Sequence, residues 1–162
     1  MKAVLAAALV ASIAAPAISQ TATAVAAASV TLPADTLVVV TPIEDISSKK
    51  MKEGETRALR VVNDVVQNGV VVIPRGSPVE AEVTWRTGKG IGGKSAKFEI
   101  TFRKVTVGGA SYPLKGKHRQ EGKGNTAAAL LGSMLISGRS AVMTSGQLAN
   151  AFTAEPITMP VS

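Results

Sequence analysis

The stretch Val79–Val107, "VEAEVTWRTGKGIGGKSAKFEITFRKVTV", decides the fold. Its first half alternates, with Val79, Ala81, Val83 and Trp85 on one face and Glu80, Glu82, Thr84 and Arg86 on the other, which is the period of a strand with one wet face. Its second half repeats the pattern with Phe98, Ile100 and Phe102 against Lys97, Glu99, Thr101 and Arg103. Between them, Gly88–Ser95 reads G-K-G-I-G-G-K-S and fits the phosphate-cradling pattern G-x-x-x-x-G-K-[ST]. That machinery needs a helix after the loop, so that backbone N–H groups and the helix N-terminus share the phosphates. The residues after Ser95 instead alternate like a strand, so the glycines are expected to form the mobile, positively charged tip of a hairpin. Beyond Phe102 the apolar parity slips, because Val105 and Val107 are odd-numbered. A slip of one residue would turn them to solvent, and a bulge or strong bend is expected near Arg103-Lys104.

Working outward, the same grammar of β-branched runs and tight turns continues in both directions. "VVNDVVQNGVVVIPRGSP" carries Asn68-Gly69 between two strand-like runs, a pair that tolerates the positive φ angles of a primed hairpin turn. Pro74-Arg75-Gly76-Ser77 then leads into the Val79 strand. Upstream, "LPADTLVVVTP" enters a strand over Thr36–Thr41 through a Pro-Ala-Asp-Thr turn. Downstream, Gly108-Gly109 turns the chain into "ASYPL", and Thr144-Ser145-Gly146 precedes a closing strand. Lys115–Asn125 has no apolar residue and is expected to be a mobile loop. "TAAALLGSMLI", within 126–137, is the one candidate helix. The stretches starting at Leu32 and Met143 share a turn-into-strand shape, as does the one at Ile73, as in a barrel or sandwich.

The expected fold is therefore all-β, a single antiparallel β-barrel over residues 32–160 with a β-sandwich as the alternative, and one short helix near 126–137. A chain of 162 residues has room for one modest core, here aliphatic, since the composition holds three Phe, one Trp and one Tyr. Lys2, the apolar run Val4–Ala15 and the small residues after it form a signal peptide and flexible leader over 1–24, cut after Ser19 or Ala24. Residues 25–31 are expected as a flexible tail. The export signal predicts a periplasmic or secreted protein with no transmembrane helix in its mature chain, the leader being short for a membrane span.

Without Cys there are no disulfides, thiolate metal sites or Cys nucleophiles. The single His118 has only Glu121 near it in sequence and is read as a solvated loop histidine, so no metal and no cofactor are expected. Ser47-Ser48-Lys49-Lys50 has the S-x-x-K spacing of penicillin-binding enzymes but lacks their other elements and their size. The pairs Glu44/Asp45 and Glu53/Glu55 fall in turn-like segments and make no acid/base dyad. No catalytic residue is assigned. Charge is unevenly spread along the chain, with ten basic residues against two carboxylates between Arg86 and Lys123. Arg86, Lys89, Lys94, Lys97, Arg103, Lys104, Lys115, Lys117, Arg119 and Lys123 are the candidate anion- or partner-binding residues. At an exported location they are expected to meet an envelope protein or an anionic polymer or lipid surface, and no nucleic acid is expected.

Four stretches, "LPADTLVVV", "DISSKKMKEGETRALRVVNDVVQNGVVVIPRGSPVEAEV", "KSAKFEITFRKVTVGGASYPL" and "GRSAVMTSGQLANAF", together resemble the C-terminal β-barrel domain of TrbI-type scaffold proteins of type IV secretion and conjugation channels, and small exported proteins that look like that barrel alone. The resembling motifs are V-x-x-D-V, here Val61–Val65, and I-P-[RK]-G-[ST], here Ile73–Ser77. Asp35-Thr36 and Gly146-Gln147 stand where the resembling pattern has Gly-Thr, and the helical antenna of those scaffolds has no counterpart beyond Thr126–Ile136. The resemblance implies an exported barrel and a secretion-related role. The expected function is thus a non-enzymatic envelope module with a structural or binding role. The alternative is an envelope enzyme acting on glycan or peptide, for which Glu80 and Glu82 are the carboxylates to test, and P-loop nucleotide hydrolysis is disfavoured.

Overall fold

A computed structural model describes residues 28–88, 94–122 and 139–161. In chain order the strands are β1 Ser29–Leu32, β2 Leu37–Pro42, β3 Ile46–Ser47, β4 Thr56–Val61, β5 Val65–Gln67, β6 Val70–Ile73 and β7 Pro78–Thr87. They continue as β8 Lys97–Val107, β9 Ala110–Lys115, β10 Lys117–Glu121, β11 Val142–Met143, β12 Ala149–Thr153 and β13 Ile157–Pro160. No helix is present among the described residues, and none there is long and apolar enough to cross a membrane. The leader 1–24, the tip of the glycine loop over 89–93, the helix expected near 126–137, Lys89 and Lys123 lie outside the described residues.

The strands close into an antiparallel ring. Neighbours run β8-β7-β4-β2-β12-β9, and β9 pairs back with β8, so the principal barrel strands have partners on both sides. Closure removes the free edges that an open sheet of this kind would expose. Inside lie Val38, Val40, Leu59, Val61, Val79, Ala81, Val83, Phe98, Ile100, Phe102, Val105 and Ala151, all essentially without solvent contact. Small residues such as Ala81 and Ala151 share this core with the two phenylalanines Phe98 and Phe102.

Four turns of one design start the strands. Pro33–Thr36, Lys52–Glu55, Pro74–Ser77 and Thr144–Gln147 each place their third residue at positive φ, Asp35 at 62°, Gly54 at 84°, Gly76 at 83° and Gly146 at 95°. Each turn donates a hydrogen bond to the strand beside it. The Asp35 N–H donates to Thr153 O (2.9 Å) at the end of β12, and the Gly146 N–H that precedes β12 donates to Thr41 Oγ1 (2.9 Å) near the end of β2. Likewise the Gly54 N–H donates to Val83 O on β7 and the Gly76 N–H to Val61 O on β4, both at 2.8 Å. The pairs β2/β12 and β4/β7 thus exchange turn hydrogen bonds, three to backbone carbonyls and one to the Thr41 hydroxyl.

The expected hairpins form with their turns as read. Asn68 and Gly69 join β5 to β6 at φ 50° and 79°, and Gly108 and Gly109 join β8 to β9 at 57° and 84°. The bulge near Arg103-Lys104 is also present. Val79 pairs with Val105 and Glu80 with Lys104, but Ala81 pairs with Phe102, so Arg103 is the extra residue and both Arg103 and Lys104 face out.

Three features differ from the sequence reading. The barrel domain takes in Ser29 to Thr31, expected as tail, because β1 pairs with β13 and buries Val30 as well as Leu32. The apolar-free segment after Lys115 is not a loop throughout. Lys117–Glu121 pairs with Thr101–Lys97 as β10, since β8 presents a complete row of backbone partners and pairing needs no apolar side chain there. Finally, a second bulge lies in β7, where Val83 pairs with Ile100 but Trp85 pairs with Glu99. Thr84 is the extra residue, and it moves Trp85 from the expected inner face to the outer one.

Candidate functional site

The outer surface of β7, β8 and β10 is a ladder of cross-strand rows. One row runs Thr87, Lys97, Glu121, and the next Trp85, Glu99, Arg119. The Arg119 guanidinium lies 4.7 Å from the centre of the Trp85 ring, within cation–π range. Lys97 pairs with Glu121 at 2.8 Å, Lys117 and Arg119 approach Glu99 at 3.1 and 3.9 Å, and the Thr84 and Thr101 hydroxyls lie 3.0 Å apart. Across the Arg103 bulge, Arg103 pairs with Glu82 at 2.9 Å and Lys104 with Glu80 at 3.2 Å. Such exposed pairs are each worth only about 0–1 kcal/mol, so their consequence is order at the surface more than stability.

Glu99 is the electrostatic centre of the ladder. The hydrogen bond from Lys117 holds its carboxyl below its usual range; partial desolvation works the other way, and the charges of Lys117 and Arg119 and the Thr84 hydroxyl add to the lowering.

A cleft of about 490 Å³ opens where the ladder ends, lined by Trp85, Thr87, Lys94, Ser95, Lys97 and Glu121. Lys94 is exposed, while the Ser95 hydroxyl is buried with no hydrogen-bond partner among the described residues. Ala96 and Lys97 are fixed beneath it, the Ala96 N–H donating to Arg139 O and the Lys97 N–H to Thr87 Oγ1, both at 3.0 Å. The chain enters β8 at Lys97 and not a helix, which removes the structural basis of a phosphate-cradling loop.

The candidate residues separate into groups. Lys94, Lys97, Arg103, Lys104, Lys117 and Arg119 share the outer face of β7, β8 and β10 or the cleft at its end. Arg86 does not join them. The Thr84 bulge pairs it with Phe98 on the inward row, where its guanidinium donates to Met51 O and its backbone N–H to Glu53 Oε1. Lys115 stands apart on β9, 2.5 Å from Asp35. Glu80 and Glu82, on which an envelope enzyme would rest, are exposed partners of Lys104 and Arg103. Of the remaining carboxylates, Asp45 accepts from the Ser145 N–H at 2.8 Å and Glu55 pairs with Arg57. Ser47, the serine of the S-x-x-K spacing, ends the short strand β3 and accepts from the Lys49 N–H at 3.4 Å, and does not stand at a helix start.

Two contributors escape sequence reasoning. Trp85 reaches the surface only through a bulge that its own alternation does not announce. His118, expected in solvent, is half-buried and lies 3.2 Å from Gln120 Oε1, which accepts from Gln147 Nε2 at 2.7 Å. That polar cluster occupies the inward row of β10, where an apolar strand would have placed core residues.

No family model matches the chain, and no curated protein does. Among solved structures it is similar to ComB10 of the Com type IV secretion system of Helicobacter pylori, at 16% identity and a TM-score of 0.49, covering 82% of this chain and 92% of that one.

Proposed function

We propose that this protein is a non-enzymatic module of the cell envelope, exported to the periplasm or beyond, which binds an envelope protein or an anionic envelope polymer through the basic outer face of β7, β8 and β10. The observation that carries this reading is the ladder itself: cations, a surface tryptophan and a cleft gathered on one face of a closed barrel. The carboxylates that could have served acid/base chemistry are tied to cations or turn backbones, which supports a binding role over a catalytic one. The export signal supports the location. The Val61–Val65 and Ile73–Ser77 motifs support a role related to secretion.

Cross-linking in intact envelopes with mass spectrometry of the captured partners tests this directly, paired with the variant Lys94→Glu/Lys97→Glu. Capture that weakens with added salt and with charge reversal is expected. Recovery of the protein from the cytoplasm, or capture indifferent to both salt and charge reversal, would sink the reading.

A further inference from the structure

We infer that the cleft at the end of β7, β8 and β10 is a binding site for an acidic saccharide, a sugar chain bearing carboxylate or phosphate groups. This rests on the binding role proposed above and names its ligand class.

The cleft has the parts that such a ligand needs. Its volume, about 490 Å³, lies in the roughly 300–1,000 Å³ range of small-ligand sites. Trp85 supplies an aromatic surface for the C–H face of a sugar ring, and Arg119, 4.7 Å from its centroid, holds that ring in place before any ligand arrives. Lys94 and Lys97 bring positive charge, against which Glu121 is the one carboxylate among the described lining residues. Thr87 and Ser95 line the same space, Thr87 Oγ1 accepting from the Lys97 N–H and the buried Ser95 Oγ having no hydrogen-bond partner among the described residues. Hydroxyl-rich, ring-shaped and anionic describes one ligand class that satisfies aromatic, hydroxyl and cationic groups together. An acidic peptide would meet the lysines but brings no hydroxyl-bearing ring to set on Trp85.

The chain has a single tryptophan, and it lines the cleft, so its fluorescence reports on this site alone. The full exported chain is titrated with a trigalacturonate, with the neutral trigalactose of matching length, and with a short poly-glutamate, following tryptophan emission and calorimetric heat. Saturable binding of the trigalacturonate is expected, weakened about tenfold or more by Lys94→Gln/Lys97→Gln and, by calorimetry, by Trp85→Ala. Trp85→Phe, which keeps a ring in the cleft, is expected to retain more affinity than Trp85→Ala, and Arg75→Gln on the Pro74–Ser77 turn is expected to bind as the parent does. Equal or tighter binding of the neutral sugar or of poly-glutamate overturns the inference, as does no saturable binding to a variant set whose circular dichroism matches the parent. If the saccharide fails but Lys94→Glu/Lys97→Glu still abolishes capture of an envelope protein, the ligand class is wrong and the binding role stands. If both fail, the binding role fails with it.

Discussion

The carboxylate of Asp64 accepts a hydrogen bond from the backbone N–H of Arg75 at 2.6 Å, joining the V-V-N-D-V run to the I-P-R-G-S turn. The two residues are eleven positions apart and meet because β5 and β6 fold back on each other through Asn68-Gly69. Within the turn, the Ser77 hydroxyl donates to Pro74 O at 2.6 Å and the Gly76 N–H to Val61 O at 2.8 Å. Both motifs are therefore one structural device that launches β7.

Asp64→Ala removes the acceptor and leaves the Arg75 N–H to water. The site is exposed, so the expected loss is about 1 kcal/mol, with Asp64→Asn losing less. Denaturant unfolding measures it, and no change for Asp64→Ala would show that the turn is held by its glycine and serine alone.

Asp35 sits at φ 62°, a conformation that a β-branched residue resists. Asp35→Val is expected to destabilise by about 1–2 kcal/mol, whereas Asp35→Gly should stay within about 1 kcal/mol of the parent, since glycine relieves the backbone while losing the exposed Lys115 pair. Thermal unfolding of the two variants side by side checks the order. Equal destabilisation would assign the effect to the ion pair.

Phe102 is fully buried next to the Arg103 bulge. Phe102→Ala leaves a void in the buried core and should cost about 3–5 kcal/mol. A cost under about 1 kcal/mol, measured in denaturant, would mean that the core is less tightly packed than the burial indicates.

The Glu99 carboxyl has its pKa lowered in the fold from the ordinary 4.5, chiefly by Lys117. A lowered folded-state pKa stabilises above the unfolded value, and that contribution is lost as pH falls through the folded one. Carboxyl titration by NMR should place Glu99 below 4.5, and Lys117→Met should raise its midpoint while removing part of the loss of stability in acid. An unmoved midpoint in Lys117→Met would assign the shift elsewhere.

Arg119→Ala uncovers the Trp85 ring. The emission maximum should move to longer wavelength and stability should fall by no more than about 1 kcal/mol, because the contact is at the surface. An unchanged emission maximum would place the ring's environment under other control.

Much of the fold was legible because strands announce themselves locally. Val79, Ala81 and Val83, then Phe98, Ile100 and Phe102, carry the period of two, and Asn68-Gly69 and Gly108-Gly109 carry the turn geometry within a residue or two. Even the Arg103 bulge was readable, since Val105 must return to a core that Phe102 has just left.

The site was less legible because it depends on which strands lie side by side. The run of cations between Arg86 and Lys123 suggested a segregated basic surface, yet Lys104, Arg103 and Lys115 of that run sit against Glu80, Glu82 and Asp35 from earlier in the chain. β10 exists because β8 offers it backbone partners, a property of the neighbour and not of "KHRQE". Trp85 faces outward because the β7–β8 register inserts Thr84, which also sends Arg86 inward to Met51. Local chemistry thus determined strands, turns and one bulge. Strand pairing, which sums contacts between residues far apart in the chain, decided the closed barrel, the position of Trp85 and the cleft it lines.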